Sequence, residues 1–304
     1  MKYFKLKKII RVAVISLMTS LSLMFYLPQA LATGTQQPTA KHEKNQNLIK
    51  QASTGRQVVK EAADAFKATE AALIALQNNQ SKQALAALEV ASGNLHLLLT
   101  RDPSLGMVPI DVQVQVIEGI HDLKTIKKLQ DELEDLIDDD RFQAARPIVD
   151  SLVDEIRVTT ISLPLATYPT AIDLIAPLID AGKLDEAKQA LINVLNTFVV
   201  EEDVTPLSII RAEEKLDEAF QIEHTQDLKK ESVRDQIEKL ANEAKQEIEV
   251  AETLGYGSKD DFEVLYDGVN ALKKTIGRSG FKGEWHKLKK SLSNFKNRIV
   301  HPAG

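Results

Sequence analysis

One local pattern occurs three times in this chain and constrains its fold more than any other feature. In each copy a helical run ends at an aliphatic residue, polar residues follow, and an alanine stands eight positions after the aliphatic residue. The copies run from Leu76 to Leu88, from Ile137 to Val149 and from Ile179 to Leu191. Each predicts a hairpin of two helices, because the small alanine allows the second helix to pack closely. The copies start 61 and 42 residues apart, and this irregular spacing disfavours a regular solenoid.

Apolar residues recur every three or four positions through most of the remaining chain, which is the period of an amphipathic helix. Long runs of this kind stand at residues 48–76, 262–276 and 285–299. Aromatic residues make up only 5% of the chain, and it has 13 glycines and 10 prolines in 304 residues, a composition that favours helices. We therefore predict an all-α fold, an irregular multi-helix bundle of helical hairpins.

Two segments beside the third hairpin have the character of extended chain. Arg157–Tyr168 and Phe198–Leu207 are rich in β-branched residues, and Pro164 excludes a helix through the middle of the first. The fold prediction therefore allows one short two-stranded antiparallel β-ribbon, formed by these two segments. Another segment, from Asp111, opens with alternating valines but continues with helical spacing, and we predict helix for all of it.

The first 32 residues have the pattern of a secretory signal peptide. Residues 1–11 carry five basic side chains and no acid, sixteen uncharged residues follow, and a small-x-small cleavage site ends at Ala32. We predict cleavage near Ala32 and export. The periplasm is the favoured destination, and the cell exterior is the alternative. An uncleaved membrane anchor is disfavoured because the apolar run is short.

Residues 33–45 are predicted to be a flexible linker. The chain has no cysteine, which suits an oxidising compartment and excludes disulfides and thiolate chemistry.

An ordered set of short motifs stands between Ile161 and Leu216. In chain order they are Leu163-Pro164-Leu165-Ala166-Thr167, Gly182-Lys183, Leu195-Asn196-Thr197, Val199-Val200, Pro206-Leu207 and Arg211-Ala212-Glu213. This set resembles the central part of the YfdX family, and residues 102–111 look like an earlier loop of that family. The resemblance covers about residues 47–255. We accordingly predict a YfdX-like helical domain at 46–255 and a basic C-terminal helical hairpin at 256–304 as an extension.

The resemblance implies an exported, mostly helical bacterial protein associated with stress response and without an established enzymatic mechanism. We therefore expect a non-enzymatic protein that is linked to envelope stress and acts by binding proteins or small molecules. The partner is unknown, a homo-oligomer is an open alternative, and no cofactor is expected.

The sequence has few motifs that indicate catalysis or the binding of a metal or phosphate. Glu118 and His121 form an E-x-x-H half-site of the kind found in di-iron bundles, but the sequence has no second half-site, so we interpret them as a surface pair. The acids at 138–140 lack the spacing of a calcium loop and are interpreted as a hairpin turn. The glycine-rich stretch at 277–283 matches no phosphate-binding motif and predicts a turn between helices. No catalytic, cofactor-binding or metal-binding residue is predicted.

Two surfaces remain as candidate binding sites. The first is the proline-broken corner, because functional residues concentrate on irregular backbone; a role in packing alone is its alternative. The residues of this candidate are Leu163, Pro164, Leu165, Thr167 and Tyr168, with Arg211 grouped with them. The second is the basic C-terminal helices, whose candidate contacts with an anionic surface are Lys282, Lys287, Lys289, Lys290, Lys296 and Arg298.

The basic helices leave two alternatives open. Nine basic residues stand against one acid between residues 273 and 300, although the whole chain carries a net charge of −6. Such helices could hold the protein on an anionic membrane surface as a scaffold. They could instead pack on the acidic remainder of the chain, which we favour because their apolar stripe needs a partner. Nucleic acid is not expected as a partner of an exported protein.

Overall fold

The structure is a computed structural model of the chain and describes residues 49–50 and 57–298. The predicted signal peptide and linker, residues 1–32 and 33–45, lie outside the described residues. The described chain is mostly helical, as predicted. Its elements are α1 (Lys60–Gln77), α2 (Ser81–Arg101), β1 (Met107–Ile117), α3 (Leu123–Asp138), α4 (Phe142–Ser151), β2 (Glu155–Pro164), α5 (Tyr168–Asp173), α6 (Ala176–Asp180), α7 (Leu184–Leu195), β3 (Val199–Pro206), α8 (Leu207–Thr225), α9 (Glu231–Thr253), α10 (Lys259–Lys274) and α11 (Phe281–Lys296).

The three sequence patterns form three helical hairpins, α1–α2, α3–α4 and α6–α7, so this prediction is confirmed. Their turns share one backbone geometry. Asn79, Asp140 and Gly182 occupy the same position of the pattern and have positive φ values of 57°, 57° and 71°. Asparagine, aspartate and glycine are the residues that tolerate this left-handed conformation best. In each turn the following amide donates to the carbonyl five residues before it, which closes the last turn of the first helix.

A three-stranded antiparallel sheet takes the place of the predicted two-stranded ribbon. The two predicted segments pair as β2 and β3, and β1 adds to the other edge of β2. The helix predicted from Asp111 is therefore wrong over its first part, where the alternating β-branched valines form β1 instead. Helix α3 begins only at Leu123, after Asp122 accepts a capping hydrogen bond from the amide of Thr125.

Two backbone hydrogen bonds fix the ends of the sheet. The amide of Leu165, just after β2, donates to the carbonyl of Gly106, just before β1, at 2.8 Å. The amide of Leu207, just after β3, donates to the carbonyl of Asp154, just before β2, at 2.9 Å. Each bond joins the end of one strand to the start of its neighbour, as antiparallel pairing requires. The second bond places the start of α8 beside Asp154.

By its internal contacts the chain divides into two compact units, and each is discontinuous in sequence. The described part of the first unit comprises residues 49–50, 57–115 and 158–203, and that of the second comprises residues 116–157 and 204–298. The division falls inside all three strands. Helices α10 and α11, which the sequence suggested as a C-terminal extension, belong to the second unit.

The first unit has an alanine-rich core. Buried alanines lie along α1 and α2, so the two helices approach closely, and side chains of α5, α6 and α7 complete the core. Its largest fully buried side chains are Leu76, Leu95, Leu163, Leu165, Tyr168, Ile172, Ile175 and Leu191.

The second unit builds its core from α8, α9, α10 and α11. A capping box is present at the start of α10, where the side chains and amides of Ser258 and Asp261 bond reciprocally. The predicted turn at the glycine-rich stretch is also present, with Gly277 and Gly280 at φ values of 69° and 126° between α10 and α11. Among residues 49–50 and 57–298, no helix combines the length and the apolar character needed to cross a membrane.

Candidate functional site

The proline-broken corner supplies core side chains of the first unit. Leu163, Leu165 and Tyr168 are buried at 0%, 1% and 1% exposure, Pro164 is half-buried, and Thr167 is exposed. Arg211, which the sequence grouped with this corner, belongs to the second unit. The exposed part of the corner is therefore small, and the three buried side chains contribute mainly to packing.

The hydroxyl of Tyr168 is buried and makes no hydrogen bond with the described residues. The hydroxyl of Thr69 lies near it but donates its own proton to the carbonyl of Ala65, at 2.9 Å. Burial raises the pKa of Tyr168 from its usual value of 10.0 to about 12. The fold therefore holds this phenol in its neutral form.

We expect Tyr168→Phe to leave stability at pH 8 within about 1 kcal/mol of the wild type, because no hydrogen bond is lost. Above pH 10 the unfolded phenol loses its proton while the folded one keeps it until about pH 12. In the wild type, Tyr168 therefore contributes a loss of stability between pH 10 and 12, of up to about 1.4 kcal/mol per pH unit. Urea unfolding at pH 8 and pH 11 should show a smaller alkaline loss in Tyr168→Phe. An equal loss in both proteins would contradict the buried, unpaired phenol.

In the second unit, a buried carboxylate joins three separate parts of the chain. The Asp154 side chain has no exposed surface, and its Oδ2 accepts from Nη2 of Arg211 at 2.5 Å. Its Oδ1 accepts from the amide of Gly119 at 3.2 Å. Any Cβ at Gly119 would stand 2.3 Å from the carbonyl oxygen of Val153, so only glycine can approach this closely. The amide of Asp154 donates to the hydroxyl of Tyr256 at 2.8 Å.

The neighbouring carboxylate, Glu155, is also buried and bonded. It accepts from the Tyr256 hydroxyl at 2.9 Å and from Arg157 at 2.6 and 3.0 Å. Burial raises the pKa of Tyr256, and the charge of Glu155 raises it further, so the phenol remains a hydrogen-bond donor.

Arg211 completes what we call the Asp154–Arg211 network. Its Nε donates to Glu247 at 2.9 Å, and its Nη2 donates to Nδ1 of His121 at 2.9 Å. Burial opposes the charge of Arg211, but its bonds to Asp154 and Glu247 outweigh this effect and raise its pKa. His121 is 47% exposed, so the histidine of the E-x-x-H motif lies at the rim of this network. The network is made of groups that satisfy one another, which suits a structural junction rather than an open ligand site.

Helix α2 of the first unit has two apolar faces. One is packed in the core, and the opposite one is exposed to solvent. The residues of the exposed face are four, three and four positions apart, and residues at these spacings lie on the same side of a helix. We call the exposed one the α2 outer face; it consists of Ala86, Val90, Gly93 and Leu97. Val90 and Leu97 are 54% and 52% exposed. The buried residues of the opposite side are Ala84, Leu88, Ala91, Leu95 and Leu98.

A serine, a histidine and an aspartate meet beside the α2 outer face, but not in a catalytic order. Ser92 Oγ donates to Asp173 Oδ1 at 2.7 Å, and His96 Nε2 lies 3.0 Å from Asp173 Oδ2. A nucleophilic serine would need its bond to the histidine, whereas here both residues bond to the carboxylate. The arrangement ties α2 to the end of α5.

The basic helix α11 turns its apolar stripe into the core of the second unit, where Phe281, Leu288, Leu292 and Phe295 are buried. Most of its candidate surface contacts are engaged with acids of the same unit. Lys289 pairs with Asp217, Lys296 with Glu213, Arg298 with Asp261, and Lys287 with Glu284. Lys282 and Lys290 are exposed. Within the described residues, no group of three or more histidines and acids is placed to hold a metal ion.

The described chain is mostly helical with one three-stranded sheet, and its first unit has an exposed apolar helix face. Residues 65–204 match the family model described as YfdX protein, which confirms the resemblance to that family over this part of the chain. The match is narrower than residues 47–255. The matched residues include the whole α2 outer face. They also include His121 and Asp154 of the Asp154–Arg211 network and the neighbouring Glu155.

One solved structure that is similar to this chain is that of YfdX from Salmonella Typhi. The similarity covers 50% of this chain and 94% of that chain, with 13% sequence identity and a TM-score of 0.36. Among curated proteins, none matches this chain.

Proposed function

We propose that this chain is an exported, non-enzymatic binding protein that acts in envelope stress and uses the α2 outer face to bind a protein. The YfdX domain and the signal-peptide pattern of residues 1–32 support export and a link to stress. The closed hydrogen bonding of Ser92, His96 and Asp173 supports a role other than catalysis.

The observation that carries the proposal is the second apolar face of α2. A helix on the surface of a protein normally opposes its core side with charged and polar residues. On α2 that opposite side presents two half-exposed aliphatic side chains, Val90 and Leu97, without a charged residue between them on the face. Contiguous exposed apolar surface of this kind marks binding sites. Because the face lies within residues 65–204, we assign it to the YfdX domain.

The test is complementation in a host strain that lacks this chain, under a panel of detergent, acid and osmotic stresses. The variant is Val90→Glu with Leu97→Glu. Its matched control is Val264→Glu, because Val264 on α10 is 55% exposed and lies outside the face. Surface substitutions of this kind leave folding stability within about 0.5 kcal/mol, which thermal melts can verify.

We expect wild type and Val264→Glu to restore growth and the double variant to behave like the deletion strain. Restoration by the double variant at the wild-type level would refute the assigned role of the face. Export is tested by fractionation of the same cells. If the chain is exported, it should be found in the envelope or the medium, with its N-terminus near residue 33.

A membrane-surface role of the basic helices is the weaker candidate. Lys282 and Lys290 are exposed and could face anionic lipid. The apolar stripe that would enter a membrane is already packed in the core, and four of the six candidate basic residues pair with acids.

A further inference from the structure

We propose that one end of the helix bundle in the second unit binds the surface of an anionic membrane through exposed basic side chains. This inference does not rest on the α2 outer face, which belongs to the first unit. It does not require the apolar stripe of α11 either, because that stripe stays packed in the core and only the end of the bundle meets the lipid.

Two turns of the chain lie side by side at this end. One, residues 226–230, joins α8 to α9, and the other, residues 275–280, joins α10 to α11. Arg234 connects them, because its Nη1 donates to two carbonyls of the first turn, at 2.6 and 3.1 Å. Its Cδ lies 3.4 Å from the position that a Cβ on Gly277 of the second turn would take. The side chains that the two turns carry therefore belong to one surface.

This surface carries five exposed basic side chains, and none of them forms an ion pair with an acid of the described residues. We call them the basic end; they are Lys229, Lys230, Lys274, Arg278 and Lys282. The nearby Lys273 and Lys287 differ, since they pair with Glu238 and Glu284. Among the five, Lys282 alone was a candidate contact predicted from the sequence, because the basic residues of the first turn are far from α11 along the chain.

The acids at this end leave it positively charged. Residues 226–231 and 274–282 contain the five basic residues and two acids, Asp227 and Glu231. Oδ1 of Asp227 accepts from the amide of Lys229 at 3.1 Å, so this carboxylate is turned toward the backbone. The whole chain carries a net charge of −6, so the rest of the chain is acidic. An anionic surface attracts the basic end and repels the remainder, which selects one orientation of the protein.

The basic end has the chemistry of a membrane-contacting surface. Clusters of about four to eight lysines and arginines bind anionic lipid headgroups through charge and proximity alone. The five side chains are long and unpaired among the described residues, so they offer charge without the fixed geometry that a folded acidic partner recognises. Lys282 and the half-buried Trp285 are three residues apart and share one side of α11, and tryptophan is typical of membrane–water interfaces. These features favour a lipid surface over a soluble acidic protein.

Vesicle sedimentation tests the inference with the chain that lacks residues 1–32. One set of vesicles contains equal parts of phosphatidylglycerol and phosphatidylcholine, and the other contains phosphatidylcholine alone. A third sample replaces the vesicles by soluble polyglutamate, which stands for an acidic protein. The variant of the basic end carries Lys229→Gln, Lys274→Gln and Lys282→Gln. Circular dichroism confirms that it is folded.

A matched control has the same net charge as this variant. It carries Lys124→Gln, Lys128→Gln and Lys259→Gln. These lysines are exposed and form no ion pair with the described residues. They lie toward the opposite end of the bundle, because Lys259 begins α10 and α3 contacts the C-terminal part of α9 through the bond from Gln130 to Thr253, at 2.6 Å.

We expect the wild type to sediment with the anionic vesicles at low salt, to stay in solution with phosphatidylcholine, and to be released by high salt. The variant of the basic end should partition on the order of 100-fold less, since each basic residue near the surface contributes about fivefold. The control should stay close to the wild type. Wild type that does not sediment with anionic vesicles would overturn the inference, as would binding to polyglutamate without binding to vesicles. Equal losses in the variant and the control would show an effect of net charge and would overturn the basic end as the site.

The outcome is separable from that of the proposed function. Val90→Glu with Leu97→Glu leaves the basic end intact, so this double variant should sediment like the wild type. Its failure to complement would then concern the α2 outer face alone. A wild type that does not sediment, together with a double variant that does not complement, would remove the present inference and leave the assigned role of the face standing.

Discussion

Replacing Arg211 by methionine is expected to lower the free energy of unfolding by about 3–5 kcal/mol, because it leaves a buried carboxylate without its partner. Asp154 has no exposed surface, and Arg211 Nη2 is its closest cation. The same substitution removes the bond to Glu247 and the bond to His121. Urea unfolding followed by circular dichroism measures the change. Adding Asp154→Asn to Arg211→Met should recover part of the loss, since the uncompensated charge disappears while an acceptor for Gly119 remains.

The chain contains a matched control one helical turn away. Lys215 pairs with Glu243 at 2.9 Å across the same two helices, but both side chains are about a third exposed. We expect Lys215→Met to change the free energy of unfolding by less than about 1 kcal/mol, as exposed pairs contribute little. Equal effects of the two substitutions would show that the burial of Asp154 does not set the strength of the network.

Replacing Leu165 by alanine is expected to cost about 2–5 kcal/mol of stability, because the side chain is fully buried and its removal leaves a cavity in the first unit. Its neighbour in the corner provides the control. Thr167 is exposed and its hydroxyl makes no capping bond to α5, so Thr167→Ala should change stability by less than about 0.5 kcal/mol. Chemical unfolding of both variants distinguishes a packing role from a binding role. A small loss in Leu165→Ala together with altered partner binding would favour the corner as a site.

Local patterns predicted the parts of the fold that depend on neighbours in sequence. The hairpin turns follow from an αL-tolerant residue at one fixed position and a small alanine after it, both visible in the sequence. The capping box of Ser258 and Asp261 is equally local. Strand β1 was missed because its alternating valines run directly toward a helical pattern, and the pairing with β2 that stabilises it joins residues about fifty positions apart.

The Asp154–Arg211 network and the α2 outer face were not predicted from the sequence, for different physical reasons. The Asp154–Arg211 network joins residues that are far apart in sequence, and the adjacent acids Asp154 and Glu155 give no local sign that they will be buried. The α2 outer face was visible in principle as a second set of apolar positions, Val90 and Leu97. Periodicity shows which residues share a face, but the structure was needed to show which face the core leaves exposed.

Native mass spectrometry of the chain purified from its own host tests most directly whether the α2 outer face is a protein-binding surface. Wild type and Val264→Glu should carry a bound protein, either a second copy or another chain. Val90→Glu with Leu97→Glu should appear as the free chain. The same bound species in all three proteins, or the free chain in all three, would contradict the proposed binding role of this face.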